Sequence, residues 1–139
     1  MKHLKKFNES VTEGDFIVKQ ISVFDYNDIR RDKYEELSEY EKEKIESIIL
    51  PYYQSDDEIT YEVDIENGYC SLIFDIEING DPSVEGIEVT KLDDDYYAVE
   101  FERTGWSSLN RYWIVDGLEG LEMVPDLFFQ ETKIGDVIK

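Results

Sequence analysis

Apolar residues recur at two different spacings along this chain. Some stretches alternate apolar and polar residues one for one, which predicts β-strands with one buried face, and others place apolar residues three or four positions apart, which predicts helices. We expect strands at Asp15–Phe24, Ile59–Glu66, Cys70–Ile78, Ile87–Lys91, Tyr96–Arg103 and Leu109–Val115. This order predicts an α+β fold, in which a mainly antiparallel sheet of about five to six strands has helices packed on one face.

The clearest helix signal begins at Ser38, after a turn and short helix expected within Asp25–Leu37. A serine followed three positions later by a glutamate, here Glu41, is typical of a capping box that opens a helix. The helix should end close to Pro51, because the residue before a proline disfavours the helical conformation. Its predicted apolar stripe consists of Ile45, Ile48, Ile49 and Tyr52.

Three further signals predict turns and short helices. Asn67-Gly68 is a two-residue sequence favoured in type I′ hairpin turns, and Asn79–Ser83 supplies the next turn. Asp116 and Glu119 have the spacing of a second capping pair. Pro125 then suits the first position of another short helix, because its missing N–H is not needed there.

Length and composition fit one folded domain. The chain has 139 residues, of which 41% are hydrophobic and 14% aromatic. A domain of this size buries about 68% of the surface that its unfolded chain exposes, which provides a real core. We expect residues 1–14 to be a mobile leader and residues 15–139 to form a single acidic α+β domain.

The same composition argues against several classes of function. A formal net charge of −20 disfavours direct binding to nucleic acid or to an anionic membrane, because those need Lys and Arg. No apolar run approaches the roughly 18 residues of a membrane helix. The single cysteine, Cys70, cannot form an internal disulfide, and a reducing cytoplasmic setting is the simplest interpretation.

Nothing in the sequence has the pattern of a catalytic or metal site. His3 is the only histidine and falls in the leader, so a serine or cysteine nucleophile has no histidine beside it. Cys70 alternates with apolar residues, which favours a small core residue over a nucleophile. We therefore expect a non-enzymatic protein with no cofactor and no metal.

Negative charge is concentrated in one part of the chain. Between Asp56 and Glu102 there are sixteen acidic residues and one basic residue, Lys91, so this segment holds −15 of the net charge. Because alternate residues of a strand point to the same face, many of these carboxylates should lie together, opposite the core. The candidate partner contacts are Glu62, Asp64, Glu66, Asp75, Glu77, Glu100 and Glu102, with Asp93, Asp94 and Asp95 at the rim.

A sheet face of this kind favours a basic partner. Residues on one face recur every 6.6–6.8 Å or so along a strand, and neighbouring strands lie about 4.8 Å apart. One nucleic-acid strand carries a charge every ~3.4 Å, a comparable spacing. Trp106, in the predicted loop before the last strand, is a further candidate contact. Two simpler alternatives stay open: the face could be an ordinary solvated surface, and Trp106 could fold back over the core.

The first ten residues carry a family resemblance. In MKHLKKFNES, the residues Met1, Lys2, Phe7 and Glu9 resemble the start of many small tailed-bacteriophage proteins. In T4-like phages a similar leader marks capsid-targeted internal proteins, cleaved after a hydrophobic-x-Glu triplet. Phe7-Asn8-Glu9 is similar to that triplet, although its first residue is usually Leu or Ile. By analogy, a small acidic phage protein is similar to anti-defence inhibitors such as anti-CRISPRs and nucleic-acid mimics.

Three functions are consistent with these features. The leading hypothesis is a non-enzymatic inhibitor in the host cytoplasm that binds a basic nuclease or another nucleic-acid-binding effector through its acidic sheet. The second is an immunity protein against a basic toxin, and the third is an internal or accessory protein of a phage virion. The first two predict binding that weakens as salt rises, because salt screens exposed charges.

Overall fold

A six-stranded antiparallel sheet organises the protein. The computed structural model describes residues 18–31, 33, 35–53, 61–78, 84–93, 95–104 and 108–130, so the predicted leader and the predicted turn at 79–83 lie outside the described residues. The strands are β1 (Val18–Ile21), β2 (Tyr61–Asn67), β3 (Ser71–Ile78), β4 (Val84–Lys91), β5 (Tyr96–Thr104) and β6 (Leu109–Asp116).

The strands follow a simple topology. β2 to β6 form a meander in which each strand pairs with the next, and β1 pairs with β6, which gives the order β1-β6-β5-β4-β3-β2. Antiparallel neighbours need only short connections, which suits a chain whose strand signals follow one another closely. The α+β class and the mainly antiparallel sheet predicted from the sequence are confirmed.

Helices precede and follow the meander. The described helices are α1 (Val23–Arg30), α2 (Glu39–Ile49), α3 (Gly117–Leu121) and α4 (residues 124–130). The predicted capping box opens α2: the Glu41 N–H donates to Ser38 Oγ at 3.1 Å, and the Ser38 N–H donates to Glu41 Oε1 at 2.9 Å. The predicted short helix around Pro125 is α4.

The end of α2 differs from the predicted stripe in one position. The chain continues beyond Ile49 as a 3-10 helix over Leu50–Tyr53, which contains Pro51. A 3-10 helix turns by more per residue than an α-helix, so the face that it presents to the core shifts. Tyr53 is therefore buried at 5% exposure, whereas the predicted Tyr52 is 36% exposed.

The main hydrophobic core lies on one face of the sheet, beneath α2 and α4. Phe101 and Trp113 of the sheet contact Phe128 of α4, with ring centroids 5.0 and 6.4 Å away, and all three rings are buried. Ile45 and Ile49 of α2 belong to the same cluster. Each such side chain contributes about 1.5–3 kcal/mol through burial, so this face holds most of the stabilising apolar area.

A smaller apolar cluster lies on the opposite face. There α1 packs Tyr26 and Ile29 against Ala98 of β5 and Ile114 of β6. The sequence predicts helices on one face of the sheet, and α1 is the exception. Ala98 and Ile114 make one end of the second face apolar, and α1 covers that end. The rest of the face carries the carboxylates of β2 to β5 together with the apolar Ile73 and Val84.

Two predictions, one about a turn and one about a helix cap, are wrong. Asn67 pairs with Leu72 and the Gly68 N–H donates to the Ser71 carbonyl, so the β2–β3 hairpin turns at Tyr69 and Cys70 rather than at Asn67-Gly68. A type I′ turn needs positive φ at both central residues, and Gly117 is the one described glycine with that geometry. Asp116 precedes α3 as predicted, but its side chain makes no capping hydrogen bond.

Candidate functional site: the acidic face

The register of the sheet brings eight carboxylates together on the face opposite the main core. Residues directly opposite each other in an antiparallel ladder point to the same face, as does every second residue along a strand. We call this set the acidic face: Glu62, Asp64, Glu66, Asp75, Glu77, Glu88, Glu100 and Glu102.

The shared orientation predicted from the sequence is confirmed by this register. All seven of the predicted strand carboxylates lie on the acidic face, and the structure adds Glu88 of β4. The signal for Glu88 was present in the sequence, because it alternates with the apolar Ile87 and Val89. The binding role of these residues stays a prediction.

Like charges face each other directly across strands. Glu62 stands opposite Glu77 and Asp64 opposite Asp75 in the β2–β3 ladder. Glu88 stands opposite Glu100 in the β4–β5 ladder. Cβ atoms in such pairs lie about 4.5–5.5 Å apart, and each like-charge pair destabilises the sheet by roughly 0.2–1 kcal/mol. The face therefore lowers the stability of the fold.

Helix α1 borders one side of the acidic face. Arg30 Nη2 lies 2.9 Å from Glu88 Oε2, and Arg30 Nε donates to Thr90 Oγ1 at 3.1 Å. The guanidinium also lies over the Tyr26 ring, 4.6 Å from its centroid. This arginine neutralises part of the charge next to the helix and fixes where the open surface begins.

The carboxylates farthest from α1 are the most exposed. The five on β2 and β3 are all solvent-exposed, whereas Glu88, Glu100 and Glu102 are half-buried. Among the described residues, the salt bridge between Arg30 and Glu88 is the one that involves a carboxylate of the acidic face. The β2 and β3 part of the face thus carries negative charge that no described Lys or Arg offsets by direct contact.

The pKa of Glu100 is affected by burial and by the neighbouring charges of this surface. Its partial burial raises the pKa of the carboxyl, and the nearby charges of Glu102 and Glu88 raise it further. Arg30 and a hydrogen bond from the Tyr112 hydroxyl act in the opposite direction but do not cancel the rise. The negative charges of the face therefore repel one another, and a cation placed among them would be stabilised.

Glu85 is the acidic residue of β4 that points the other way. Its side chain is 1% exposed on the core face, where Arg103 Nε donates to Oε2 at 2.8 Å and the Tyr53 hydroxyl donates to Oε1. Arg103 Nη2 also donates to Oε2. Because its partners are all within the fold, this pair holds β4 against β5 and contributes nothing to the acidic face.

The predicted rim residues lie apart from the acidic face. Asp93 Oδ2 accepts a hydrogen bond from the buried Lys33 Nζ at 2.9 Å. Asp95 has φ +65° and its carbonyl accepts the Gly117 N–H at 2.9 Å, which supports the start of α3. The α1 cluster around Ala98 separates this hairpin from Glu100 and Glu102. Asp94 and Trp106 lie outside the described residues.

A second polar region lies at the same end of the sheet, on the core side. It is a cleft of about 1040 Å³ between α2 and α3, with Glu41, Lys91 and Tyr97 in its lining. Lys91 Nζ donates to Glu41 Oε1 at 2.9 Å, and the Tyr97 hydroxyl donates to Glu41 Oε2. Lys91 also lies 3.2 Å from Glu35. A signal for this network was present in the sequence, because Lys91 alternates with the core residues Ile87 and Val89.

The hydrogen bonds of this network keep Glu41 ionised. Burial by itself would raise the pKa of the carboxyl, but donors from Ser38, Tyr97 and Lys91 outweigh burial and hold the pKa at about 2. Burial and the adjacent Glu41 carboxylate raise the pKa of the Tyr97 hydroxyl. With every oxygen of Glu41 already accepting a hydrogen bond, the network is suited to fixing α2 on the sheet.

Cys70, the possible metal ligands and the lengths of the helices are the remaining features of the described residues. Cys70 was predicted to join the inner set of a strand, but it lies in the β2–β3 connection, half-buried, with Sγ 3.7 Å from the Lys33 carbonyl oxygen. Within the described ranges no three His, Cys, Asp or Glu side chains converge as metal ligands. None of the described helices combines the length and apolar character that crossing a membrane requires.

Comparison with protein-family models, with curated proteins and with solved structures finds no match for this chain, so its function is inferred from the acidic face itself.

Proposed function

We propose that this protein is a non-enzymatic inhibitor that binds a basic, nucleic-acid-handling protein through the acidic face. The observation that carries the proposal is the alignment of eight carboxylates on one sheet face, with like charges directly opposite each other. A host nuclease, or another effector whose nucleic-acid site is lined with Lys and Arg, is the partner class that this charge fits. The setting that we propose is the host cytoplasm.

The dimensions of the acidic face support mimicry of a phosphate backbone. From β2 to β5 the face spans three strand spacings, about 14 Å, and charges recur at about 6.8 Å along each strand. A protein that binds duplex DNA places Lys and Arg to meet one phosphate charge per ~1.7 Å of helix axis, counted over both strands. A rigid array of carboxylates can engage the same cations.

The energetic cost of the face favours this function over an ordinary solvated surface. A solvated face can mix both signs and gain from cross-strand pairs, whereas three direct like-charge pairs here each cost roughly 0.2–1 kcal/mol. Sites that lower stability without a structural gain are typical of functional surfaces. The buried apolar core on the other face supplies the stability against which this cost is set.

The decisive experiment is a pull-down from bacterial lysate with a matched pair of triple variants. Glu62→Gln/Asp64→Asn/Glu66→Gln removes three charges from the acidic face, and Glu43→Gln/Glu46→Gln/Glu122→Gln removes three from α2 and the turn that follows α3. We expect the first variant to recover roughly tenfold less partner, since each exposed charge pair contributes about 0.2–1 kcal/mol. The second should bind like the original protein.

Two further readouts identify the partner class. The captured protein should be released as salt is raised and by added duplex DNA, because DNA competes for the same basic site. The acidic-face variant should be at least as stable to heat as the original protein, since it removes like-charge pairs. Equal recovery by both triple variants, or a captured protein that DNA does not displace, would contradict the proposal. A secreted toxin as the captured protein would favour an immunity protein instead.

A further inference from the structure

The outer edge of β2 is a structural feature separate from the charge of the acidic face. In the part of the chain that the structure describes, β2 pairs with β3 on one side and no strand lies along its other side. An edge strand presents unpaired N–H and C=O groups, to which an extended segment of another chain can add.

The hydrogen bonds at the hairpin show which residues present these groups. The Gly68 N–H donates to the Ser71 carbonyl at 2.8 Å, and these two residues continue the register of β2 with β3 by one position. Bonded and non-bonded pairs alternate in an antiparallel ladder, so every second residue from Gly68 directs its backbone to β3. Val63 and Ile65 fall between these positions and direct their backbone groups to the open edge.

The next ladder gives the same alternation. The Lys91 N–H donates to the Cys70 carbonyl at 2.8 Å, in register with the pairing of β3 and β4. Even-numbered residues of β3 therefore bond to β4 and odd-numbered residues to β2, which agrees with the assignment from Gly68 and Ser71. The outward donors and acceptors of β2 thus belong to its odd-numbered residues, which include Val63 and Ile65.

The side chains along this edge define what an added strand would meet. On one face it would lie beside Glu62, Asp64 and Glu66, all exposed. On the other face it would lie beside Val63 and Ile65, which are half-buried and pack against the main core. A strand in which basic and apolar side chains alternate would therefore be complementary to this edge of β2.

We propose that the open edge of β2 accepts an extended segment of the partner, in which Lys or Arg alternates with apolar residues, as an additional antiparallel strand. This deepens the proposed function and rests on it for the basic character of the partner. A second copy of this chain is a poor occupant, because antiparallel pairing of two β2 strands sets Glu62, Asp64 and Glu66 against the same residues of the other copy.

The test measures amide hydrogen exchange in the full chain with two peptides of equal composition. One is the heptapeptide Lys-Val-Lys-Val-Lys-Val-Lys, which matches the seven residues of β2, and the other is its block isomer Lys-Lys-Val-Val-Val-Lys-Lys. We expect the alternating peptide to slow exchange at Val63 and Ile65 by about tenfold or more, through new backbone hydrogen bonds. Asp64 and Glu66, already bonded to β3, are the internal controls.

A single variant separates backbone pairing from charge attraction. Val63→Pro removes an outward donor on an edge strand, where proline is tolerated, and leaves every carboxylate in place. It should bind the alternating peptide about tenfold more weakly and the block isomer unchanged. Circular dichroism shows whether the variant folds, and the exchange experiment on the unaltered chain decides the question if it does not.

The outcomes distinguish this proposal from the proposed function. Equal binding of the two peptides, with no slowing at Val63 and Ile65, would overturn the added strand and leave a basic partner on the acidic face intact. Binding of neither peptide would overturn the added strand and would also count against the proposed function. Slow exchange at Val63 and Ile65 in the free protein would show that the edge is already covered, and the proposal would fail.

Discussion

Glu41 takes part in a helix cap, is buried and carries a negative charge. Its carboxylate caps α2 through Ser38 and accepts hydrogen bonds from Lys91 and Tyr97. The folded-state pKa of about 2 lies below the ordinary 4.5, so the folded state holds this proton less tightly than the unfolded state. Glu41 therefore contributes stability that is present above about pH 4.5 and is lost as the pH falls towards 2.

We predict that Glu41→Gln lowers the free energy of unfolding at pH 7 by on the order of 3 kcal/mol, the equivalent of the difference between the folded-state pKa and the ordinary one. The difference between variant and original protein should shrink as the pH falls from about 4.5 to about 2. Urea unfolding at a series of pH values measures it. Glu43→Gln, an exposed position of the same helix, is the control and should change stability by less than about 0.5 kcal/mol. A pH-independent loss would show that the ionised form has no special role.

The ionised form of Glu100 should have the opposite effect on the stability of the fold. Because partial burial and the charges of Glu102 and Glu88 raise the pKa of this carboxyl, its ionised form lowers the stability of the fold. We predict that Glu100→Gln stabilises the protein at pH 7, by roughly the 0.2–1 kcal/mol of one like-charge cross-strand pair. The gain should disappear as the pH falls through the raised pKa to the ordinary value of 4.5 and below.

Thermal unfolding at pH 7 and at pH 4 measures this gain. Glu36→Gln, in an exposed stretch before α2, removes the same charge away from the acidic face and serves as the control. A loss of stability in Glu100→Gln at pH 7, or a gain equal to that of the control, would contradict the electrostatic account of the face.

At the scale of elements, α2 depends on its capping box. Ser38→Ala removes the acceptor for the Glu41 N–H and should cost about 1 kcal/mol of stability, within a range of about 0.5–2. Ser47→Ala is the matched control, because Ser47 Oγ is exposed and donates only to the Lys44 carbonyl within the helix. Chemical denaturation of both variants tests this, and equal effects would show that the cap does not stabilise α2.

The strands and helices also show how far sequence pattern reaches. The alternation of β3 to β5 predicted which side chains share a face, because the two-residue period follows from backbone geometry alone. The prediction of the β2–β3 turn at Asn67-Gly68 was wrong, because Gly68 and Ser71 form a backbone hydrogen bond that residue preferences do not encode. Tyr53 replaced Tyr52 in the core because the chain continues beyond α2 as a 3-10 helix.

At the scale of the whole molecule, the two sheet faces have opposite energetic roles. The core face carries large rings such as Phe101 and Trp113 together with the enclosed pair of Glu85 and Arg103, and it stabilises the fold. The acidic face opposes folding through like-charge pairs. The sheet in this way provides a rigid support for a surface that the proposed function requires, with the open edge of β2 along one side.

The fold class, the capping box of α2 and the set of carboxylates that share a face follow from the amino-acid sequence alone, because periodicity and capping act over a few residues. How much of that face stays open depends on tertiary contacts. Contacts between residues far apart in sequence placed α1 over Ala98 and Ile114, paired Arg30 with Glu88, and moved Asp93 away to Lys33. Such contacts depend on the order of strands in the sheet, which no local pattern specifies.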